Sequence, residues 1–459
     1  MKKILIIAAV AVMGLGLANA QSLRTAYFLE NSMLNNSLNP AFQPYRGYVS
    51  IPLAGSTDIA YSSNSLALDK ILYPDESGSG LVTFMDAQVD ATEFLKNLKS
   101  DNRVDLDLGM KILGFGFHSG KSFWTFDIDL KNNVNLDLPR EFFEFAKIGS
   151  GESGMTYNMK DFGANVSSYA SVGVGYSRTI NERLSVGAKM KVIAGAANVD
   201  MRYSKMDVVM RSDKWEIDAV GELEASCAGL TFEDDDQGCI DFENNDFSLK
   251  KPAGWGAAID LGASYKLLDE RLTLSAAVID LGFIKWGAEN TTSGTAQAKY
   301  YFAGFNVNKD GTESSLEGDF EDFTKFKRVS PQSNSTGLRT TINVGGEFEF
   351  VKNVISAGLL SSTQFRPNKT FTELTAAGTV RLKEILAASV SCSLVNGQYA
   401  TVGFAVNFSP SWINLFIGTD NILGKVSKQF IPISQRSANL YVGLGIPLGR
   451  KWTDRQKSE

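Results

Sequence analysis

The sequence predicts an all-β protein: a 14-stranded antiparallel transmembrane β-barrel with an N-terminal plug segment and long extracellular loops. Three observations carry that expectation. From about Arg103 onward, stretches of roughly ten residues alternate apolar with small or polar side chains, the length and period of a membrane-crossing strand with one apolar face. Leu440, Val442, Leu444, Ile446 and Leu448, for example, alternate with Tyr441, Gly443, Gly445 and Pro447. Very short connections join neighbouring stretches at residues 119–121, 181–182, 268–271, 351–353, 383–384 and 409–412. Finally, Lys2 and Lys3, an apolar core from Ile4 to Leu17 and the small-x-small site Ala18-Asn19-Ala20 read as a secretory signal peptide over residues 1–20, cleaved after Ala20. Gln21 follows rather than Cys, so no lipoprotein anchor is expected.

Residues 21–46 precede the first strand and are too irregular for a strand pair; a plug entering the lumen is their expected use. The barrel is expected over 47–449, with 450–459 as a periplasmic tail. Read backwards, the strands are 438–448, 413–420, 399–408, 385–394, 372–382, 354–364, 338–350, 272–285, 253–267, 183–203, 166–180, 121–132, 107–117 and one near 47–60. The number is even. With both ends periplasmic, every short turn falls on the periplasmic side, where outer-membrane barrels place short turns. The long connections 61–106, 204–252 and 286–337 then lie outside. Residues 87–99 read as a weakly amphipathic helix, and 319–327 as a second short one.

Facing follows from the period of two. Leu184, Val186, Ala188, Met190 and Val192 are expected against lipid, as are Trp124, Phe126, Ile128 and Leu130. The lumen is expected to hold Asp127, Asp129, Lys189, Lys191, Asp260 and Lys266, with Lys131 also facing inward and Glu347 and Glu349 inward near the periplasmic rim. These charges read as ion pairs tying and filling the inner wall, with a polar conduction path as the alternative. No apolar track passes among them. Phase breaks at Ile112-Leu113 and Asp280-Leu281-Gly282 read as bulges. Trp124, Trp255, Trp286 and Trp412 lie near strand ends, as interfacial girdle residues do.

Composition excludes several classes. Beyond residue 20 no apolar run is long enough for a membrane helix. Without Lys2 and Lys3, the 45 basic residues become 43 against 51 acidic ones, a net charge of −8, which argues against a nucleic-acid partner. Cys392 shares a face with Leu386, Val390 and Leu394 and reads as a lipid-facing apolar residue. Cys227 and Cys239 stand in one loop; if bonded, they close a loop worth about 3 kcal/mol in the chain-entropy model. The only histidine, His118, falls at the periplasmic end of a strand, away from the outer leaflet where a serine–histidine lipid hydrolase would need it. Gly120-Lys121-Ser122 lacks the first glycine of a phosphate loop, because Phe115 stands there. No catalytic constellation and no cofactor are therefore expected. Calcium is the one alternative: Asn306, Asn308, Asp310 and Glu317 have calcium-loop spacing, but without flanking helices. A solvated turn is the simpler reading. Glu233, Asp234, Asp235 and Asp236, with Asp241, Glu243 and Asp246, likewise read as a hydrated loop tip, with calcium-bridged lipopolysaccharide as the alternative.

The strand count, Asn39-Pro40-Ala41 in the leading segment, and long loops at 204–252 and 286–337 resemble long-chain fatty-acid transporter (FadL-type) barrels. More closely, the chain is similar to Bacteroidota outer-membrane barrels known only as a domain of unknown function. That likeness rests on Asn39-Pro40-Ala41-Phe42, on Leu113-Gly114-Phe115-Gly116-Phe117 followed by Phe123-Trp124-Thr125-Phe126, and on Asp280-Leu281-Gly282-Phe283-Ile284-Lys285-Trp286. The resemblance implies a hatch in the lumen carrying the Asn39-Pro40-Ala41 motif, a docking groove made by the two long loops, and sideways exit of substrate through the wall. The expected function is passive transport of small hydrophobic or amphipathic molecules across the outer membrane, among lipid and lipopolysaccharide. The alternative is a non-transporting scaffold that docks a partner protein.

Overall fold

Fourteen strands close on themselves. The computed structural model describes residues 24–29, 32–75, 80–148, 154–211, 215–235, 238–247, 251–302, 326–366, 369–382, 385–397, 399–422 and 436–449. The leader, Asp236, the calcium-loop candidates Asn306, Asn308, Asp310 and Glu317, residues 319–325, the turn at 383–384 and the tail 450–459 lie outside them.

The first strand, β1, runs in two pieces, Gly47–Ser50 and Thr57–Ser63. It is followed by β2 (Asp101–Ser119), β3 (Ser122–Pro139), β4 (Gly163–Thr179), β5 (Leu184–Met210), β6 (Gly254–Leu267) and β7 (Leu272–Trp286). The second half is β8 (Thr341–Val351), β9 (Ile355–Phe365), β10 (Thr370–Leu382), β11 (Leu386–Val395), β12 (Tyr399–Phe408), β13 (Asn414–Thr419) and β14 (Ser437–Leu448). Each pairs antiparallel with the next, and β14 returns to β1 through Gly47↔Leu448 and Thr57↔Val442. Closure leaves no open sheet edge, which is what permits strands to cross a bilayer. Among the described residues no helix is long and apolar enough to do so.

The alternation sorts as its period requires. On β5, Met190 is 72% and Val192 59% exposed, whereas Lys189 and Lys191 between them are buried. Leu359, Leu374, Val344 and Val390 continue the exposed apolar belt around the wall. A closed sheet with this exterior has its low-energy surroundings in hydrocarbon. Register slips mark both phase breaks: one lies between Lys111 and Leu113, the other opposite Asp280, whose φ is 56°. The extra residue turns one side chain without flipping the rest of the strand.

Several strands outrun the sequence-based boundaries. β2 begins at Asp101, β3 reaches Pro139 and β5 reaches Met210. Part of each expected outer loop is therefore sheet. Residues Trp215–Cys227 pair with both β5 and Thr291–Phe302, raising a ribbon beyond the membrane belt. Alternation persists there because the apolar face meets protein instead of lipid: Met201, Tyr203, Leu223, Phe162 and Phe326 form a packed cap. The α-helices among the described residues are short: α1 (Asn35–Leu38), α2 (Ala91–Lys96) and α3 (Arg140–Ile148). Asp90 caps α2 by accepting from the Glu93 N–H at 2.7 Å, and Phe94 and Leu95 of α2 pack with Phe143 of α3. The helix read over 87–99 is thus one and a half turns long.

The tryptophans need one correction. Trp124, Trp255 and Trp412 are exposed, but Trp286 is fully buried. Its ring lies against Gly195 and Gly254, and its Nε1 donates to Thr336 Oγ1 at 2.8 Å. It packs in a separate buried cluster with Tyr169, Ile193, Ile284 and Leu338 and not in an interfacial girdle.

Candidate functional site

Residues 24–29 and 32–46 lie inside the wall. Their apolar side chains, Ala26, Leu29, Met33 and Leu34, pack with Phe123, Ala405, Phe416 and Tyr441 of the inner wall. Tyr27, Phe28 and Leu38 pack with Leu360 and Ala377 on the other side. Polar groups pin the segment at its ends. The Arg24 and Thr25 amides donate to Asp420, at 3.2 and 2.9 Å, and Arg24 also pairs with Glu373. Arg381 donates to the Phe28 carbonyl at 2.9 Å and pairs with Glu347, and Asn343 donates to the Leu38 carbonyl at 3.1 Å. His118 Nε2 donates to the Pro44 carbonyl at 2.7 Å, so the only histidine steadies the strap leading into β1.

Inward-facing glycines form seats for this segment. A Cβ at Gly187 would collide with the Pro40 carbonyl, and one at Gly262 with Asn39. Gly358 receives the Phe28 ring, Gly345 the Tyr27 ring, Gly403 the Thr25 hydroxyl and Gly445 the Met33 sulfur. Six positions on six strands lack a side chain where the segment touches them, so wall and segment are complementary in shape. The Asn39-Pro40-Ala41 turn is built by Asn39 itself: Oδ1 accepts from the Ala41 N–H at 3.0 Å, and Nδ2 reaches Tyr27 Oη at 3.3 Å. Proline then removes an amide donor at the point seated in the wall.

On the long-loop side of this segment the wall is charged. Asp127 lies between Lys111 at 2.5 Å and Lys189 at 2.6 Å, and Lys111 also reaches Asp129 at 3.2 Å. Lys191 pairs with Asp260 at 2.6 Å and Asp280 at 2.7 Å; Asp280 also holds Lys131. Glycine again makes room. On β4, between Asp127 and the β5 lysines, Gly173 and Gly175 lie within 3.1–3.4 Å of the lysine stems once a Cβ is built. Two side chains there would block the crossing. The bulge that gives Asp280 its positive φ aims its carboxylate at both lysines.

Further along, the opposite walls meet. Asp105 and Asp107 of β2 pair with Arg339, two residues before β8, and Arg366, just after β9. In a ring of fourteen strands β2 and β9 are diametrically opposed. These bridges therefore cross the lumen rather than lacing neighbours. Between this quartet and the N-terminal segment lies a chamber, a cavity of about 170 Å³. Leu34 and Leu38 form its floor, Asp129, Lys131, Asp260 and Asp280 its side and Arg339 its roof.

The sequence-based candidates distribute as follows. Asp129, Lys189, Lys191 and Asp260 line the chamber, and Asp127 stands directly behind Lys111 and Lys189. Lys266 does not belong to it: the residue has the inward phase but sits one position from the end of β6 and is exposed at the short-turn rim. Cys227 and Cys239 are not bonded to each other; Cys239 forms an isolated backbone bridge with Lys327. The sequence reading places Lys131 inward, and it pairs there with Asp280; Lys111, Asp280 and the Asp105–Asp107–Arg339–Arg366 quartet are not among the expected lumen charges. Asp105 and Asp107 are legible, since acids alternate with Val104, Leu106 and Leu108, but the expected strand 107–117 stops short of Asp105.

A family of unknown function (DUF5723) matches residues 40–420. The chain belongs to this family. The matched stretch runs from Pro40 of the seated turn to Asp420, which holds the start of the N-terminal segment. No curated protein matches the sequence. Among solved structures, the P. putida toluene transporter TodX is similar at 9% identity over 95% of this chain and 97% of that one, with a TM-score of 0.40. A Pseudomonas aeruginosa FadL homologue is similar at 11% identity over 92% and 93%, TM-score 0.36. The translocator domain of the autotransporter NalP from Neisseria meningitidis is similar at 5% identity over 88% and 90%, TM-score 0.34.

Proposed function

We propose that this protein is a gated passive conduit of the outer membrane for small amphipathic molecules. The observation that carries the reading is the chamber: a charge-lined lumen cavity of about 170 Å³ between a seated N-terminal segment and a salt-bridged quartet. Ordinary small-molecule sites begin at about 300 Å³, so the cavity takes a cargo only when the segment or the quartet moves. A barrel needed only as an anchor has no use for a charge-lined cavity between two such closures. The floor presents Leu34 and Leu38 and the side wall presents charges, so a molecule with one apolar and one polar part satisfies both surfaces. A purely apolar cargo would strip water from the charges without replacing it. Residues 24–42 act as the hatch in this reading, and cleavage after Ala20 precedes their seating.

The docking-scaffold alternative draws on the packed cap, whose Ile148 is half exposed beside Leu95 and Arg140 in a shallow outer groove. The deciding experiment is solute flux into liposomes carrying an opened form, with residues 24–42 deleted and Arg339 and Arg366 changed to Gln. Flux of a short-chain amphiphile above that of empty liposomes is expected. A folded barrel that passes none overturns the conduit.

A further inference from the structure

We propose that Asp105, Asp107, Arg339 and Arg366 are a second closure of the lumen, an ionic gate that acts independently of the N-terminal segment. The proposal rests on the conduit reading and deepens it by naming what opens at the long-loop mouth. Position is the first ground. Arg339 and Arg366 flank the open end of the β8–β9 hairpin, where Phe365 donates to the Thr340 carbonyl at 2.8 Å. Both lie outside the paired ladder, so either side chain can swing without breaking a strand–strand hydrogen bond. Their acidic partners are fixed on β2, across the ring.

Separation is the second ground. The quartet divides the large chamber, which Arg339 and Gln364 line, from a smaller polar pocket lined by Arg103, Asp105, Asn135, Asp137 and Arg366. All four side chains are buried or nearly so: 5% exposed for Arg366 and 11% for Arg339, against 9% and 5% for Asp105 and Asp107. Polar space thus continues on both sides of a constriction made of charge alone.

Incomplete satisfaction is the third. Asp105 Oδ1, Arg339 Nη2 and Arg366 Nη2 are buried without a hydrogen-bond partner among the described protein atoms. A clasp whose only role is to hold the wall would saturate these groups, as Asp127 and Asp280 are saturated by two lysines each. Arg366 also has a resting place when its ion pairs part, because its guanidinium lies 4.6 Å from the centre of the Phe371 ring. The closed quartet is therefore one of two accessible arrangements of the same side chains.

Single-channel conductance in planar bilayers tests this with four proteins: the full chain, the chain lacking residues 24–42, the Arg339→Gln/Arg366→Gln variant, and the combination. The combination is expected to conduct at least about tenfold more than either single opening, since two closures in series must both be removed. Restoring opposite charges in exchanged positions, Asp107→Arg with Arg339→Asp in the shortened chain, is expected to return conductance toward the closed level. A shortened chain that already conducts as well as the combination overturns the gate while leaving the conduit intact. A folded combination that stays silent overturns the conduit and the gate with it. An exchanged pair in the shortened chain that conducts like the combination also overturns the gate.

Discussion

Asp107 and Arg339 form an ion pair across the lumen although they stand on opposite sides of the barrel and 232 residues apart in the chain. Neighbouring strands lace their charges differently, as Lys189 does by crossing the two glycines of β4 to reach Asp127. The inner wall thus contains two kinds of ion pair: those that tie the staves to one another, and those that close the space between them. The two kinds should respond differently to substitution.

Asp127→Asn should destabilise the barrel strongly. It leaves Lys189 buried without its carboxylate partner and Lys111 with Asp129 alone, at 3.2 Å, and breaking a buried pair from one side costs about 3–5 kcal/mol. The shift is readable as a lower temperature for loss of the compact band in detergent electrophoresis. Asp127→Asn with Lys189→Met should recover part of it, because one orphaned charge is removed. Equal losses in the single and double variants would show that the pairing does not matter.

Filling a seat should lift the N-terminal segment. Gly262→Val places atoms where Asn39 lies, while Gly378→Val on the outer face of β10 meets nothing within 4 Å. With a cysteine introduced at Ser37, a water-soluble maleimide should label the Gly262→Val protein several-fold faster than its parent. The Gly378→Val protein should label at the parental rate. Unchanged labelling in the Gly262→Val protein would mean the segment is not held by that seat.

The tryptophans should separate by environment. Trp286 is fully buried, whereas Trp255 and Trp412 are 59% and 67% exposed. A protein keeping only Trp286 should resist quenching by aqueous acrylamide and by brominated lipid alike, and one keeping only Trp412 should yield to at least one of them. Trp286→Ala should cost about 3–5 kcal/mol, the usual range for deleting a large core aromatic.

Cys227 should react slowly with alkylating agents. It lies in the ribbon beyond the membrane belt, where burial pushes its thiol up to about 11. A raised value keeps the unreactive thiol form at neutral pH and releases thiolate only as pH climbs toward that value. Labelling by iodoacetamide, read by mass spectrometry, should therefore rise about tenfold per unit between pH 8 and 10 and level off only above about pH 11. A rate that levels off near pH 8.5 would place the thiol in water.

What the sequence by itself determined is the wall. Which residues of β5 face lipid, how many strands there are, and which ends carry the tight turns all follow from a period of two and from turn length. Both are local properties, so Met190 and Lys189 declare their faces without knowledge of any partner. The tertiary structure alone decided the contents of the lumen. Asp107 meets Arg339, and Pro40 meets Gly187, only because ring closure and strand stagger bring distant inward positions to one level. Strand extent also escaped local reading: β5 continues to Met210 because its apolar face passes from lipid to the packed cap, and alternation looks the same against either.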